Sequence, residues 1–274
     1  MAKSADLHIH SNYSDSTLTP VEIIQAAIKA ELSCIAITDH DTLAGIQPAI
    51  DAAKTSDLEV LSGIELSSEI QKKDVHILGY LIDDPNSPIK EALDKMQNTR
   101  VNRIAEMLDK LKKVDVDDIT LDEVCARARS RSVGRPHLAA LLFEKGWVKS
   151  IRQAFEKYLG EGCLAHVPKF KQTPYEAIEL IRKAGGVAVF AHPMLTQLDE
   201  LIPSFVEAGM QGIEAFYPNC SKQISSYYEG IAKKYNIVAT GGSDAHGTTK
   251  RHTYIGKIKI PYELVERLKD VQKS

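Results

Sequence analysis

Apolar residues along this chain fall into short continuous runs, separated by longer stretches in which they recur every three or four positions. The short runs read as strands: ADLHI (5–9), CIAIT (34–38), EVLSGIE (59–65), VHILGYL (75–81), GVAVFA (186–191), GIEAFY (212–217) and NIVATG (236–241). The stretches between them read as helices. Thr19-Pro20 opens one over Val21–Ala27, with Thr19 as N-cap and Pro20 at the first helical position. Thr173-Pro174 repeats the device before Glu176–Ile181, and Gly185-Gly186 supplies the stop. Strands alternating with helices predict an α/β chain on a mostly parallel sheet. Seven strands predict a closed or nearly closed barrel.

Two places break the alternation. Only about nine residues separate Glu65 from Val75, whereas a parallel crossover needs about a dozen or more. A hairpin turning near Ile70–Asp74 is therefore expected, and it brings His76 beside Glu65. From Lys90 to about His166 the strand signal vanishes, and RIAEMLDKLKK and TLDEVCARARS carry helical periodicity. The expected organisation is a barrel from residues 1–90 and 167–274, with a small all-helical insert at 91–166 covering the active site.

Composition narrows the setting without changing the architecture. The 274 residues are 43% hydrophobic and 26% charged, ordinary for a globular chain. Thirty-four basic against 37 acidic side chains give a net charge of -3, which argues against a general nucleic-acid coat or a large nucleic-acid assembly. Cys34, Cys125, Cys163 and Cys220 form no CxxC pair, so a reducing compartment is expected. MAKSADLHIH lacks the apolar run of a signal peptide, and no segment is apolar for long enough to span a bilayer. A cytoplasmic protein with no membrane partner is the expectation.

The chemistry lies in where histidines and acids fall on this skeleton. Asp6, His8 and His10 alternate along the first strand and so point to one side. Asp39 and His40 follow the second strand, Glu65 ends the third, His192 the fifth, and Asp244 and His246 follow the last. The hairpin adds His76. Barrel folds place their chemistry at the C-terminal ends of strands. Imidazole and carboxylate together suit Zn, Mn or Fe, and a bridging carboxylate suits a multinuclear site that clamps a phosphoryl group. A single histidine, such as His137 or His252 taken alone, is more often a hydrogen-bonded polar residue than a ligand. Burying this many convergent ionisable groups without a cation would be costly, and that favours metal.

In this order, DLHIHSNYSD, TDHD, GIELSS, the His76 hairpin, AHP and GGSDAHG resemble the PHP (polymerase and histidinol phosphatase) family across nearly the whole chain. The resemblance implies a distorted (β/α)7 barrel, two or three divalent metal ions (Mn, Fe or Zn) and phosphoesterase activity. It implies that His8, His10, Glu65 and Asp244 hold one metal. Glu65 would bridge to a second, completed by His76 and His192, while Asp15, His40 and His246 would hold a third. The family usually has glycine after that aspartate, where this chain has Ser16. Asp6 and Asp39 read as outer carboxylates orienting histidines.

The insert resembles the subgroup of nucleoside 3′,5′-bisphosphate phosphatases and 5′-to-3′ oligonucleotide exonucleases, through VGRPHLAALLFEKGWV, AFEKYLGEG and HVPKF. Within it Arg135, with His137 beside it in GRPH, offers a bidentate grip on phosphate, and Lys169, just after the insert rejoins the barrel, offers a second cation. Arg127, Arg129 and Arg131 read as a solvated face, and Tyr217 and Phe170 as packed aromatics rather than base platforms. The leading expectation is an enzyme that hydrolyses a terminal phosphate of a small nucleotide, such as a nucleoside 3′,5′-bisphosphate or AMP. Attack would come from a metal-bound hydroxide, with Glu65 bridging and His192 a candidate to protonate the leaving oxygen. The alternatives are a 5′-to-3′ exonuclease on short RNA oligonucleotides and a non-catalytic metal-binding module.

Overall fold

The computed structural model describes residues 3–82, 88–128, 133–168, 172–249 and 253–273. Its strands are β1 (Ser4–Ile9), β2 (Cys34–Ile37), β3 (Glu59–Ile70), β4 (Lys73–Tyr80), β5 (Val187–Phe190), β6 (Gly212–Phe216), β7 (Val238–Gly241) and β8 (Ile260–Pro261). They form one 8-stranded sheet in the order β7-β6-β5-β4-β3-β2-β1-β8. The expected strands are all present, and the sheet curls into a nearly closed barrel. Closure is made by backbone at the C-terminal end of β1. An isolated parallel bridge joins Ile9 to Ala245 just past β7, and the His10 amide donates to the Ala245 carbonyl at 3.1 Å. The N-terminal end of β1 is taken instead by β8, antiparallel at Ser4 and Ala5. A strand of two residues is too short to leave an apolar pattern, so the sequence gives no sign of it.

The hairpin forms as the chain length requires. β4 runs antiparallel to both β3 and β5, and the other neighbours, apart from β8, are parallel. Its turn is the pair Gln71-Lys72, with φ of 53° and 62°. Two successive left-handed residues match the twist of a tight hairpin. β3 extends to Ile70, beyond the expected end at Glu65.

The helices begin where their caps sit. Thr19 and Thr173 each accept from the amide of the glutamate three residues on, and that glutamate accepts the threonine amide in return. These capping boxes satisfy amides that would otherwise be orphaned. The helix Pro20–Lys29 turns Ile23, Ile24 and Ala27 onto Ile9, Ile35 and Ile37 of the sheet. Tyr80, fully buried in β4, donates its hydroxyl to the Leu7 carbonyl of β1 at 2.8 Å. Since β4 and β1 are not neighbours in the sheet, this bond crosses the barrel.

The chain divides into two compact units, residues 1–91 with 171–274, and residues 92–170. The second is helical, with a core of its own that includes Ile104, Leu111, Val124, Leu138, Leu142 and Leu159. Among the described residues no helix is long and apolar enough to cross a membrane.

The close approach of β1 to the segment after β7 leaves no room at Gly242. A β-carbon there would lie 2.3 Å from the His8 amide nitrogen and 2.7 Å from its Cα. Gly242→Ala is expected to cost about 3 kcal/mol by forcing the seam apart. Urea unfolding measures this, and a loss below about 1 kcal/mol would show the seam to be compliant.

Candidate metal centre

Glu65 reaches its position by an extension of the sheet. β2 ends at Ile37, but pairing resumes beyond it as a parallel bridge between His40 and Glu65. The Glu65 amide donates to the Asp39 carbonyl at 3.1 Å, and the Asp41 amide to the Glu65 carbonyl at 3.0 Å. His8 stands in β1 and His10 one residue past it. His192 and Asp244 follow β5 and β7 in left-handed backbone, with φ of 30° and 48°. That region is uncommon for residues with a β-carbon, and strain of this kind gathers at functional sites. His76 pairs with Ser67 in the hairpin register and so reaches Glu65 diagonally.

The two oxygens of Glu65 face different histidines. Oε1 lies 2.8 Å from His76 Nδ1 and 3.0 Å from His192 Nε2. Oε2 lies 3.3 Å from His8 Nε2, 3.1 Å from His10 Nε2 and 3.2 Å from His40 Nδ1. Asp244 Oδ1 approaches His8, His10 and His246 at 3.6, 3.4 and 3.3 Å. Asp15 lies 3.2 Å from His246, 3.6 Å from His10 and 3.8 Å from His40. Among the described residues three groups have ligand atoms within 4.8 Å of one another: His8, His10 and Glu65; His40, Glu65 and His76; and His10, Asp15, His40 and His246. His10 and His40 each belong to two groups, so the partition is less clean than the family pattern implies. Ser16 requires no glycine, because its φ is not positive.

This is a donor set that fits divalent cations. Glu65 is 1% exposed, and His8 and His10 are fully buried. Burial alone would raise the Glu65 carboxyl, but His40, His76 and His8 hold it well below the usual range. Burial is likewise outweighed at Asp244, chiefly by His8, and at Asp15, chiefly by His40. Desolvation drives His40 well below its ordinary value, against the opposing pull of Glu65 and Asp15. The buried nitrogens His10 Nδ1 and His246 Nε2 face Asp15 without forming a hydrogen bond to it. Ionised carboxylates and lone pairs converging on shared space are what a hard or borderline cation requires.

The outer carboxylates differ from expectation. Asp6 accepts from the backbone amides of Ser243 and Gly256, both at 2.8 Å. Burial pushes its carboxyl up to about 6. Asp39 accepts from the Ser11 amide at 2.7 Å and the Ser11 hydroxyl at 2.6 Å. Neither orients an imidazole ring; both pin the loops that carry the ligands. The carboxylate on a ring is Glu214 of β6, which the sequence reading missed. Its Oε1 lies 2.9 Å from His8 Nδ1, and its Oε2 accepts from the His192 amide at 2.7 Å. The available signal was one acid inside the otherwise apolar GIEAF. Tyr217 donates to Asp244 Oδ2 at 2.7 Å, so it reaches the cluster through Asp244.

Of the expected phosphate-binding residues, Arg135 and His137 belong to the helical unit. Arg135 opens the helix Arg135–Glu144, where its Nη1 donates to the Leu159 carbonyl at 3.3 Å and its guanidinium lies 5.7 Å from the Phe155 ring centroid. His137 Nδ1 accepts from the Gly134 amide at 3.1 Å. Arg127 pairs with Glu144, in keeping with a solvated face. Lys169, Phe170, Arg129, Arg131 and His252 lie outside the described residues.

Residues 6–265 match the PHP domain family. The chain is 34% identical over 251 residues to a 5′-3′ exoribonuclease of Haemophilus influenzae, covering 90% of this chain and 91% of that one. It is 32% identical over 246 residues to a 3′,5′-nucleoside bisphosphate phosphatase of Chromobacterium violaceum, covering 88% and 86%. A crystal structure from Bifidobacterium adolescentis, assigned as a metal-dependent phosphoesterase, superposes with a TM-score of 0.84 at 28% identity, over 98% of this chain and 96% of that one.

Because both oxygens of Glu65 are used, removing its charge is expected to release bound metal and lower turnover more than about 100-fold. Elemental analysis of purified Glu65→Gln beside phosphate-release assays tests this. Full metal content in a folded variant would contradict the bridging role.

Proposed function

The chain belongs to the PHP domain family and is a phosphoesterase, and on that premise we propose that it hydrolyses a terminal phosphate of a small nucleotide. A nucleoside 3′,5′-bisphosphate or an AMP-like monophosphate is the substrate class. The observation that carries the reading is the division of Glu65 between two sets of imidazoles, which supports a pair of bridged ions. These residues would hold two or three divalent ions of the Mn, Fe or Zn type, which would supply Lewis acidity toward the phosphoryl oxygens and activate water.

The chain's own residues hold and shape that centre. His8, His10 and Asp244 stand on one side of Glu65 and His76 and His192 on the other, with Asp15, His40 and His246 as a third set. His192 aims Nε2 at Glu65 and keeps Nδ1 buried, so we assign it to metal holding through Nε2 rather than to protonating the leaving oxygen. Arg135, His137 and Lys169 are assigned to the substrate phosphate. A cytoplasmic location fits four free cysteines.

A second reading is 5′-to-3′ removal of nucleotides from short RNA, favoured by the identity to the Haemophilus influenzae exoribonuclease. A panel of AMP, nucleoside 3′,5′-bisphosphates and 5′-phosphorylated oligoribonucleotides with Mn²⁺ separates the two. The mononucleotides are expected to show the higher kcat/KM; a preference for oligomers, shortened stepwise from the 5′ end, would establish the second reading instead. In the same assay Arg135→Ala is expected to raise KM about tenfold, the worth of one charge-assisted hydrogen bond, with kcat little changed. An unchanged KM would remove Arg135 from the phosphate site.

A further inference from the structure

Resting on the metal-holding role above, we propose that the single carboxylate of Glu214 sets both the ring tautomer of His8 and the backbone pose of His192, and so governs ion binding on both sides of Glu65. Glu214 is fully buried in the middle of β6. Its two oxygens go to two different ligand residues, Oε1 to His8 Nδ1 at 2.9 Å and Oε2 to the His192 amide at 2.7 Å.

Each contact has a consequence at the far end of its residue. A neutral imidazole carries one N–H, and an ionised carboxylate can only accept. Facing Glu214, the proton of His8 sits on Nδ1, which leaves the Nε2 lone pair toward Glu65 Oε2 at 3.3 Å and His10 Nε2 at 3.2 Å. The second contact holds the amide of a residue in left-handed backbone, φ 30° and ψ 56°, whose ring Nε2 lies 3.0 Å from Glu65 Oε1. His8 and His192 serve opposite oxygens of Glu65, so one outer side chain sets the direction of a ligand in each set.

Glutamine cannot do this. Its amide has one accepting oxygen and one donating nitrogen, whereas both Glu214 contacts require acceptance. If its oxygen keeps the His192 amide, its NH₂ faces His8 Nδ1 and drives the ring proton to Nε2, where the metal lone pair is needed. If turned the other way, it sets a donor against the His192 amide. Glu214→Gln therefore damages one set, and Glu214→Ala, with no acceptor, damages both.

The test is calorimetric titration of Zn²⁺ into metal-free wild type, Glu214→Gln and Glu214→Ala, with circular dichroism and thermal unfolding as fold controls. ¹⁵N-histidine NMR of the Zn²⁺-loaded protein reads the His8 tautomer. Wild type is expected to show His8 protonated at Nδ1. The glutamine variant should lose about 10–100-fold in one binding step, and the alanine variant in two. A purely structural role would lower the unfolding temperature and leave Zn²⁺ affinities alone. Wild-type affinities in a folded Glu214→Gln overturn the inference. If that variant fails to fold, the NMR of wild type decides, and a His8 proton on Nε2 overturns it. Wild type that takes up no Zn²⁺ overturns the metal-holding reading itself, an outcome distinct from wild-type uptake unaffected by the substitutions.

Discussion

Everything at the mouth of this barrel depends on keeping the Glu65 carboxylate ionised while it is sealed from water. An isolated buried carboxylate would take up a proton rather than bear the desolvation cost. Glu65 avoids this by contact with five imidazoles, His8, His10, His40, His76 and His192, within 3.3 Å of its two oxygens. Those rings cannot all carry protons beside one another, and His40 is already driven toward neutrality. Negative oxygens crowded into restricted, buried space call for balancing positive charge, which a divalent cation would supply. Phosphoester hydrolysis follows from such a centre, because charge developing on phosphoryl oxygens needs fixed positive charge nearby.

The fold serves that constraint by bringing distant strands into register. Glu65 is placed by a sheet bond beyond the end of β2, His76 by a hairpin, and His8 by a seam so tight that Gly242 has no space for a β-carbon. Asp6 and Asp39 tie the loops after β7 and β1 to the strand ends through backbone and serine contacts. Left-handed backbone at His192 and Asp244 sets the direction of these side chains at some local cost. Rigid placement of this kind is what a metal centre needs.

Much of this was legible in the sequence, for definite reasons. Chain length alone required the hairpin between Glu65 and Val75, since no parallel crossover fits. Threonine followed by proline marked two helix starts. Histidines and acids at successive strand ends marked the site, because a strand's direction fixes which end its last residue occupies. Other features left weak signals or none. Glu214 lies in a strand that reads as ordinary core, and only its contacts reveal a role. Adjacency misled for Asp39, which follows the chain beside His40 yet turns to Ser11. The grouping of ligands was also hidden, because it depends on how far each ring reaches across the barrel.

Anomalous X-ray diffraction from crystals grown with Mn²⁺ would locate the ions directly. The account predicts at least two peaks about 3.5–4 Å apart, with one oxygen of Glu65 on each, His8 and His10 on one and His76 and His192 on the other. A single ion with Glu65 bound through both oxygens, or no ion at Glu65, would contradict it.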